Sequence, residues 1–294
     1  MLYLAPDYLW ELNPKVKERI RKEKVAGEPF PYLFKEYDTP KGVLRQIVRQ
    51  TPDWPHRDNV PLWSDHMIPR SRSKKYLIEN MDDMESFSRI ENAVLWSFRR
   101  PELLHRLLDI TLEWNVMYAR QILEVGGVDV VTCRGYYENA DFWSPRIYKT
   151  FFAPRLQKLI EVVHRGGAKF CYHMTTGIMP LLEIFREIGV DILFGPDPVE
   201  GKADLEQVKD RVGDRICLWG GMNAPVTLGI GTQEQIEDGV REAISKLAPG
   251  GGFILSALDS LILGSDAKTC GSIPWASVEH MIKAWRKMSN YPMS

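Results

Sequence analysis

The segment FCYHMTTGIMPLL, residues 170–182, carries one histidine, His173, where a short apolar run gives way to threonines and a glycine. An imidazole there is free to exchange protons, donate a hydrogen bond or ligate a metal. Four more apolar runs end in residues that can do chemistry. Arg134, Tyr136, Tyr137 and Glu138 follow the first, Asp197 follows the third, Trp219, Met222 and Asn223 the fourth, and Ser256 and Asp259 the fifth. Arginine can hold a carboxylate with paired donors, Glu138 and Asp197 can orient groups or move protons, and the aromatic residues can wall a pocket. Each also has a plainer reading. Asp197 precedes a proline and Asn223 opens a turn, so both suit a helix cap. His173, Arg134 and Glu138 taken together fit a shared site better than three separate caps.

The elements that must position these residues follow one grammar. The runs are VDVVTCR (128–134), AKFCYHM (168–174), VDILFGPD (190–197), RICLWGGMN (215–223) and GGFILSALD (251–259). Between them lie amphipathic segments: SPRIYKTFFAPRLQKLIEVVHRGG, MPLLEIFREIG, ADLEQVKDRVG and TQEQIEDGVREAISKLA, with PWASVEHMIKAWRKM closing the series. Strand and helix in alternation predict a parallel sheet with right-handed crossovers, and runs apolar on both faces predict doubly covered strands. No strand end carries G-x-G-x-x-G or G-x-x-x-x-G-K, so a (β/α) barrel is preferred over an open dinucleotide-binding sheet. Barrels place their functional groups at the C-terminal ends of the strands, which is where the residues above stand.

Two regions are expected: residues 1–100 as an extension and 101–294 as the (β/α) barrel core. LNPKVKERIRKEKVAG reads as a polar helix, YLFKEYDTPKGVLRQIVRQT as a hairpin turning at DTPKG, and TPDWPHRDNVPLWSDHMIPRSRS as a lid-like loop. PELLHRLLDITLEWNVMYARQILEVGG repeats apolar residues at three and four, with Pro101 at its start and Gly126–Gly127 at its stop.

Composition narrows the function. The 294 residues are 44% hydrophobic and 26% charged, which is ordinary for a globular enzyme. With 38 basic against 39 acidic residues, the net charge of −1 gives no electrostatic reason to bind nucleic acid or anionic lipid. Apolar runs fall well short of the roughly 20 residues that cross a bilayer. The four cysteines form no C-x-x-C pair and no leader is recognisable, which predicts a cytoplasmic chain with reduced thiols.

RGYYENADFWSPRIYKTFFAPRL, AKFCYHMTTGIMPLL, GVDILFGPDPVEGKADLEQVK, ICLWGGMNAPVTLGIGTQEQI, APGGGFILSALD and PWASVEHMIKAW together resemble the uroporphyrinogen decarboxylase superfamily, above all its methyltransferase-like and uncharacterised branches. YDTPKGVLRQIVRQTPDWPHRD looks like the hairpin and loop of the same proteins. The resemblance implies a (β/α) TIM-type barrel of that kind. Relatives carry a longer N-terminal part, so three barrel strands are expected to be missing. That predicts a fragment, a shortened homologue with an open edge, or a gap filled by another subunit, including a homo-oligomer.

For activity the resemblance implies methyl transfer between a small methoxylated or methylthio compound and a corrinoid on a separate protein. The chain itself has no D-x-H-x-x-G corrinoid motif. That branch binds zinc through a His-x-Cys pair and a later Cys. Here the histidine is His173, Thr175 stands at the first cysteine position and the later one falls near Asp259, with Cys171 and Cys270 nearby. Zinc is thus expected, if at all, on His173 and Asp259. The catalytic candidates are His173, Glu138 and Asp197; the substrate-binding candidates are Arg134, Tyr136, Tyr137, Trp219 and Asn223. The alternatives are decarboxylation of a tetrapyrrole or another acid, and a non-catalytic binding paralogue. True uroporphyrinogen decarboxylases use an N-terminal arginine motif, an aspartate and a C-terminal glycine-histidine-glycine segment, and FILSALDSLILG stands in place of the last. At a wet barrel mouth, replacement of His173 by Gln is expected to leave stability nearly unchanged.

Overall fold

The structure is a computed structural model that describes residues 17–39, 42–52, 57–58, 90–258, 262–263 and 272–289. The chain divides into two compact units, Met1–Arg100 and Pro101–Ser294.

In the first unit β1 (Lys17–Glu23), β2 (Tyr32–Thr39) and β3 (Gly42–Arg49) form an antiparallel sheet in that order, followed by helix α1 (Ile90–Arg99). The β2–β3 hairpin expected at DTPKG is present, with Thr39 opposite Gly42. The polar helix expected just before it is not: KERIRKE is strand β1. Lysine, arginine and glutamate favour helix locally, but pairing with β2 overrides that preference. Arg19 lies opposite Glu36 and ion-pairs with Asp38 at 2.9 Å, while the Arg21 guanidinium rests 4.0 Å from the centre of the Phe34 ring. Helix α1 was not anticipated. The lid-like loop lies almost wholly outside the described residues.

In the second unit a five-stranded parallel sheet runs in sequence order: β4 (Val130–Arg134), β5 (Lys169–His173), β6 (Ile192–Phe194), β7 (Cys217–Asn223) and β8 (Phe253–Leu258). All five expected strands are there. Helices α2 (Pro101–Val125), α3 (Pro145–Phe151), α4 (Ala153–Arg165), α5 (Leu182–Ile188), α6 (Leu205–Val212), α7 (Gln233–Leu247) and α8 (Trp275–Met288) accompany it. Phe170, Tyr172, Leu193 and Leu218 are fully buried from the sheet side, as are Leu182, Phe185, Val208, Val240 and Leu247 from the helices. A short parallel pair, β9 (Ile262–Leu263) with β10 (Ser272–Ile273), was not foreseen. Among the described residues no strand pairs β8 with β4. The architecture is an α/β sheet flanked by helices, consistent with part of a TIM-type barrel.

Local signals set the helix ends. Ser144 caps α3 and Asp204 caps α6, while Thr232 and Gln235 close a reciprocal capping box on α7. One expected helix is two, because Pro154 has no N–H for the turn before it and the chain breaks at Phe152. Among the described residues no helix is long and apolar enough to cross a membrane.

Candidate functional site

Strand register assembles the centre of the site. Arg134 pairs laterally with His173, His173 with Phe194, and Phe194 with Trp219, all at the C-terminal end of the sheet. In a parallel sheet, lateral partners project from the same face. The preceding row, from Tyr172 through Leu193 to Leu218, packs towards the helices, so Arg134, His173, Phe194 and Trp219 project from the opposite face. Ring centres are 4.1 Å apart for His173 and Phe194, and 4.9 Å for Phe194 and Trp219.

After β4 the chain makes a three-residue 3₁₀ turn, Tyr136–Glu138, that folds back over this row. The Tyr136 hydroxyl lies 3.2 Å from Nδ1 and 3.1 Å from Nε2 of His173, so it can bond whichever nitrogen the tautomer offers. The Arg134 guanidinium lies 5.7 Å from the Tyr136 ring centre. His173 is only 3% exposed. Burial first, and then the neighbouring Arg134 charge, lower its pKa to about 4. At neutral pH it is an uncharged imidazole, a hydrogen-bonding group and not a cation. The wet cavity expected around it is corrected by this burial.

Glu138 joins a different set. Its carboxylate accepts a hydrogen bond from the Tyr172 hydroxyl, which accepts one from Tyr148 at 3.2 Å. Burial first, and then the charge of Glu138, push both phenols well above their ordinary pKa. Tyr172 reaches Glu138 past Gly135, where a Cβ would sit 2.2 Å from the tyrosine oxygen.

Asp197 and Asn223 meet each other in a third set. Asp197, 1% exposed, accepts from the amides of Val199 and Glu200 and from the Asn223 amide at 2.8 Å. Asn223 also donates to Glu200 at 2.8 Å, and its carbonyl oxygen accepts from Val226 N at 2.7 Å, capping the π-turn Ala224–Leu228. Asn223 takes the capping role open to it, whereas Asp197 closes a side-chain turn in the loop ahead of α6, whose cap is Asp204.

Tyr137 accepts from the Trp143 indole at its carbonyl, and its ring lies against Phe142. Thr176 accepts from Asn139 at 2.8 Å. Asp259 and Cys270 lie outside the described residues. Sequence reasoning missed Phe194, Glu200, Tyr172 and Tyr148. Phe194 was reachable, since register places it beside His173; the tyrosines' shared bond joins residues 24 apart in the chain and has no local signature.

A parallel sheet flanked by helices, with charged, imidazole and aromatic groups gathered where its strands end, defines an α/β protein whose architecture is consistent with part of a TIM-type barrel. Residues 77–285 match the uroporphyrinogen decarboxylase (URO-D) family, and the chain belongs to it. It is 27% identical over 168 residues to a methylcobamide:CoM methyltransferase, MtaA, of Methanosarcina barkeri, covering 56% of this chain and 48% of that protein. It is 30% identical over 171 residues to a uroporphyrinogen decarboxylase of Trichodesmium erythraeum, covering 56% and 44%. A methyltransferase from Methanosarcina mazei shares the fold, with a TM-score of 0.58 at 21% identity over 71% of this chain and 56% of that one. The chain spans about half the length of the curated relatives it matches.

Of the zinc set implied by the methyltransferase branch, the described residues supply His173 alone, since Asp259 lies outside them. His173 offers a neutral imidazole, but Thr175 stands at the cysteine position, and burial pushes the Cys171 thiol up to about 11, so it stays protonated where zinc takes a thiolate. Among the described residues no three His, Cys, Asp or Glu side chains gather to hold a metal.

Proposed function

We propose that this chain is a methyl-transferring member of the family, moving a methyl group between a small methoxylated or methylthio compound and a corrinoid carried on a separate protein. The observation that carries the reading is the row Arg134, His173, Phe194 and Trp219 capped by Tyr136, a fixed cation beside a neutral imidazole and an aromatic wall. The similarity to a methylcobamide:CoM methyltransferase supports it. Moving a methyl cation equivalent leaves negative charge on the departing oxygen or sulfur, and hydrogen-bond donors or cations must stabilise it. His173 is uncharged at neutral pH, so its N–H or the Tyr136 O–H would donate to that atom. Arg134 would supply the positive charge or anchor a substrate carboxylate. A corrinoid on the partner protein, when docked, would supply the centre that exchanges the methyl group. Trp219 and Phe194 would wall the substrate, Tyr137 would border it from the turn that Glu138 anchors, and Asp197 with Asn223 would shape the neighbouring rim.

The test is formation of methylcobalamin from 4-methoxybenzoate or a methylthio analogue and reduced cobalamin. The expected result is turnover that falls by about a hundredfold in His173→Gln, the usual loss for an acid–base or charge-stabilising group. The 30% identity to the Trichodesmium decarboxylase favours a second reading. Coproporphyrinogen made from uroporphyrinogen, with no methylcobalamin from any probe, would replace the first reading with that one. Binding of the probes without either product would identify a non-catalytic paralogue.

A further inference from the structure

Neighbouring residues on one strand end grip the same short turn from opposite faces of the sheet. His173 holds the first residue of the 3₁₀ turn through the Tyr136 hydroxyl, on the face away from the helices. Tyr172 holds the last, Glu138, from the helix side. The ring of Tyr172 is packed edge-on against Phe185 of α5, with centres 5.4 Å apart, and its oxygen is backed by Tyr148 of α3. Gly135 is what lets the phenol through, since a side chain there would overlap the tyrosine oxygen.

We propose that Tyr172, backed by Tyr148, is a positioning residue: its hydroxyl, passing Gly135, clamps Glu138 and thereby holds the turn that sets Tyr136 on His173. The clamp stands on geometry alone; its consequence for ligand binding rests on the methyl-transfer reading of the site. Tyr172 is fully buried, so its O–H has no water to turn to, and Glu138 is its acceptor. The bond therefore links the helix layer to a turn whose backbone is otherwise held by Gly135 N to His173 O at 2.9 Å, Glu138 N to Gly135 O at 3.1 Å, and the bonds that the Tyr136 and Tyr137 carbonyls accept from Asn139 and Trp143, both at 2.6 Å. Without it, the turn would keep its contacts with the imidazole and with the Trp143 indole but lose the direct tie from Glu138 to the Tyr172–Tyr148 pair.

Hydrogen exchange followed by mass spectrometry reads the clamp without any need for activity. In Tyr172→Phe, amides of residues 135–143 should exchange about tenfold faster, the equilibrium equivalent of one hydrogen bond to a charged group, while those of α7 keep the wild-type rate. Tyr148→Phe should show a smaller change in the same segment. Should Tyr172→Phe fail to fold, Glu138→Ala removes the acceptor without touching the buried rings and should loosen the same segment, whereas Glu138→Gln keeps an acceptor oxygen and should restore protection. Wild-type exchange in both Tyr172→Phe and Glu138→Ala, or acceleration spread equally into α7, would overturn the proposal, the latter marking Tyr172 as a packing residue only. The affinity for 4-methoxybenzoate, measured by calorimetry, should weaken about tenfold in Tyr172→Phe and recover in Glu138→Gln relative to Glu138→Ala. Absence of 4-methoxybenzoate binding in the wild type would count against the function reading and leave the exchange result to decide the clamp.

Discussion

Replacing His173 by Gln should flatten the dependence of stability on pH. The histidine's pKa falls from 6.5 in the unfolded chain to about 4 in the fold, chiefly through burial. The folded state therefore takes up fewer protons than the unfolded state between those values, and stability must drop as pH falls through that window. Each pKa unit is worth about 1.4 kcal/mol, so the group withdraws ~2 kcal/mol between pH 7 and pH 5, and ~3 kcal/mol by pH 4. Above pH 6.5 nothing is lost. At pH 7 the substitution instead costs about 1–2 kcal/mol, for the lost bond to Tyr136 and the contact with Phe194. The wild-type advantage at pH 7 should therefore vanish near pH 5. Carboxylates such as Asp191 and Glu183, whose pKa values are lowered in the fold, also withdraw stability in acid, but equally in both proteins. Urea unfolding of the pair at half-unit steps from pH 7 to pH 4.5 gives the difference directly. Parallel curves for wild type and variant would refute the reasoning, because a histidine that titrates normally in the fold contributes no such slope.

Arg134→Gln should weaken binding of 4-methoxybenzoate at least about tenfold, by loss of a charge-assisted bond, and change unfolding free energy by only about 1 kcal/mol; calorimetry and urea unfolding report the two. Asn223→Ala should lower stability by about 2–4 kcal/mol in a urea unfolding series, because it leaves the Asp197 and Glu200 carboxylates without their shared donor and uncaps Val226 N. Cys171 should resist thiol reagents at pH 8 in the folded protein, since burial holds its thiol up near 11; mass spectrometry of the modified peptides would show labelling there if the site is wrong.

The order of strands and helices was legible from the chain alone, because apolar runs of period two and amphipathic stretches of period 3.6 are local statements about which faces must be buried. All five parallel strands, the β2–β3 hairpin and most helix ends follow from such patterns and from caps such as Ser144 and Thr232. So does the placement of Arg134, His173 and Asp197 where strands end. Tertiary structure decided what the local pattern could not hold. KERIRKE became a strand because β2 offered charges and an aromatic ring in register with it. The candidate site residues fall into three sets, because neighbours along a strand face opposite sides and each side chain bonds to what lies across from it. His173 went to Tyr136 and Phe194, Glu138 to Tyr172, and Asp197 to Asn223. Burial, which makes His173 a neutral group, belongs to the assembled fold and to no stretch of sequence.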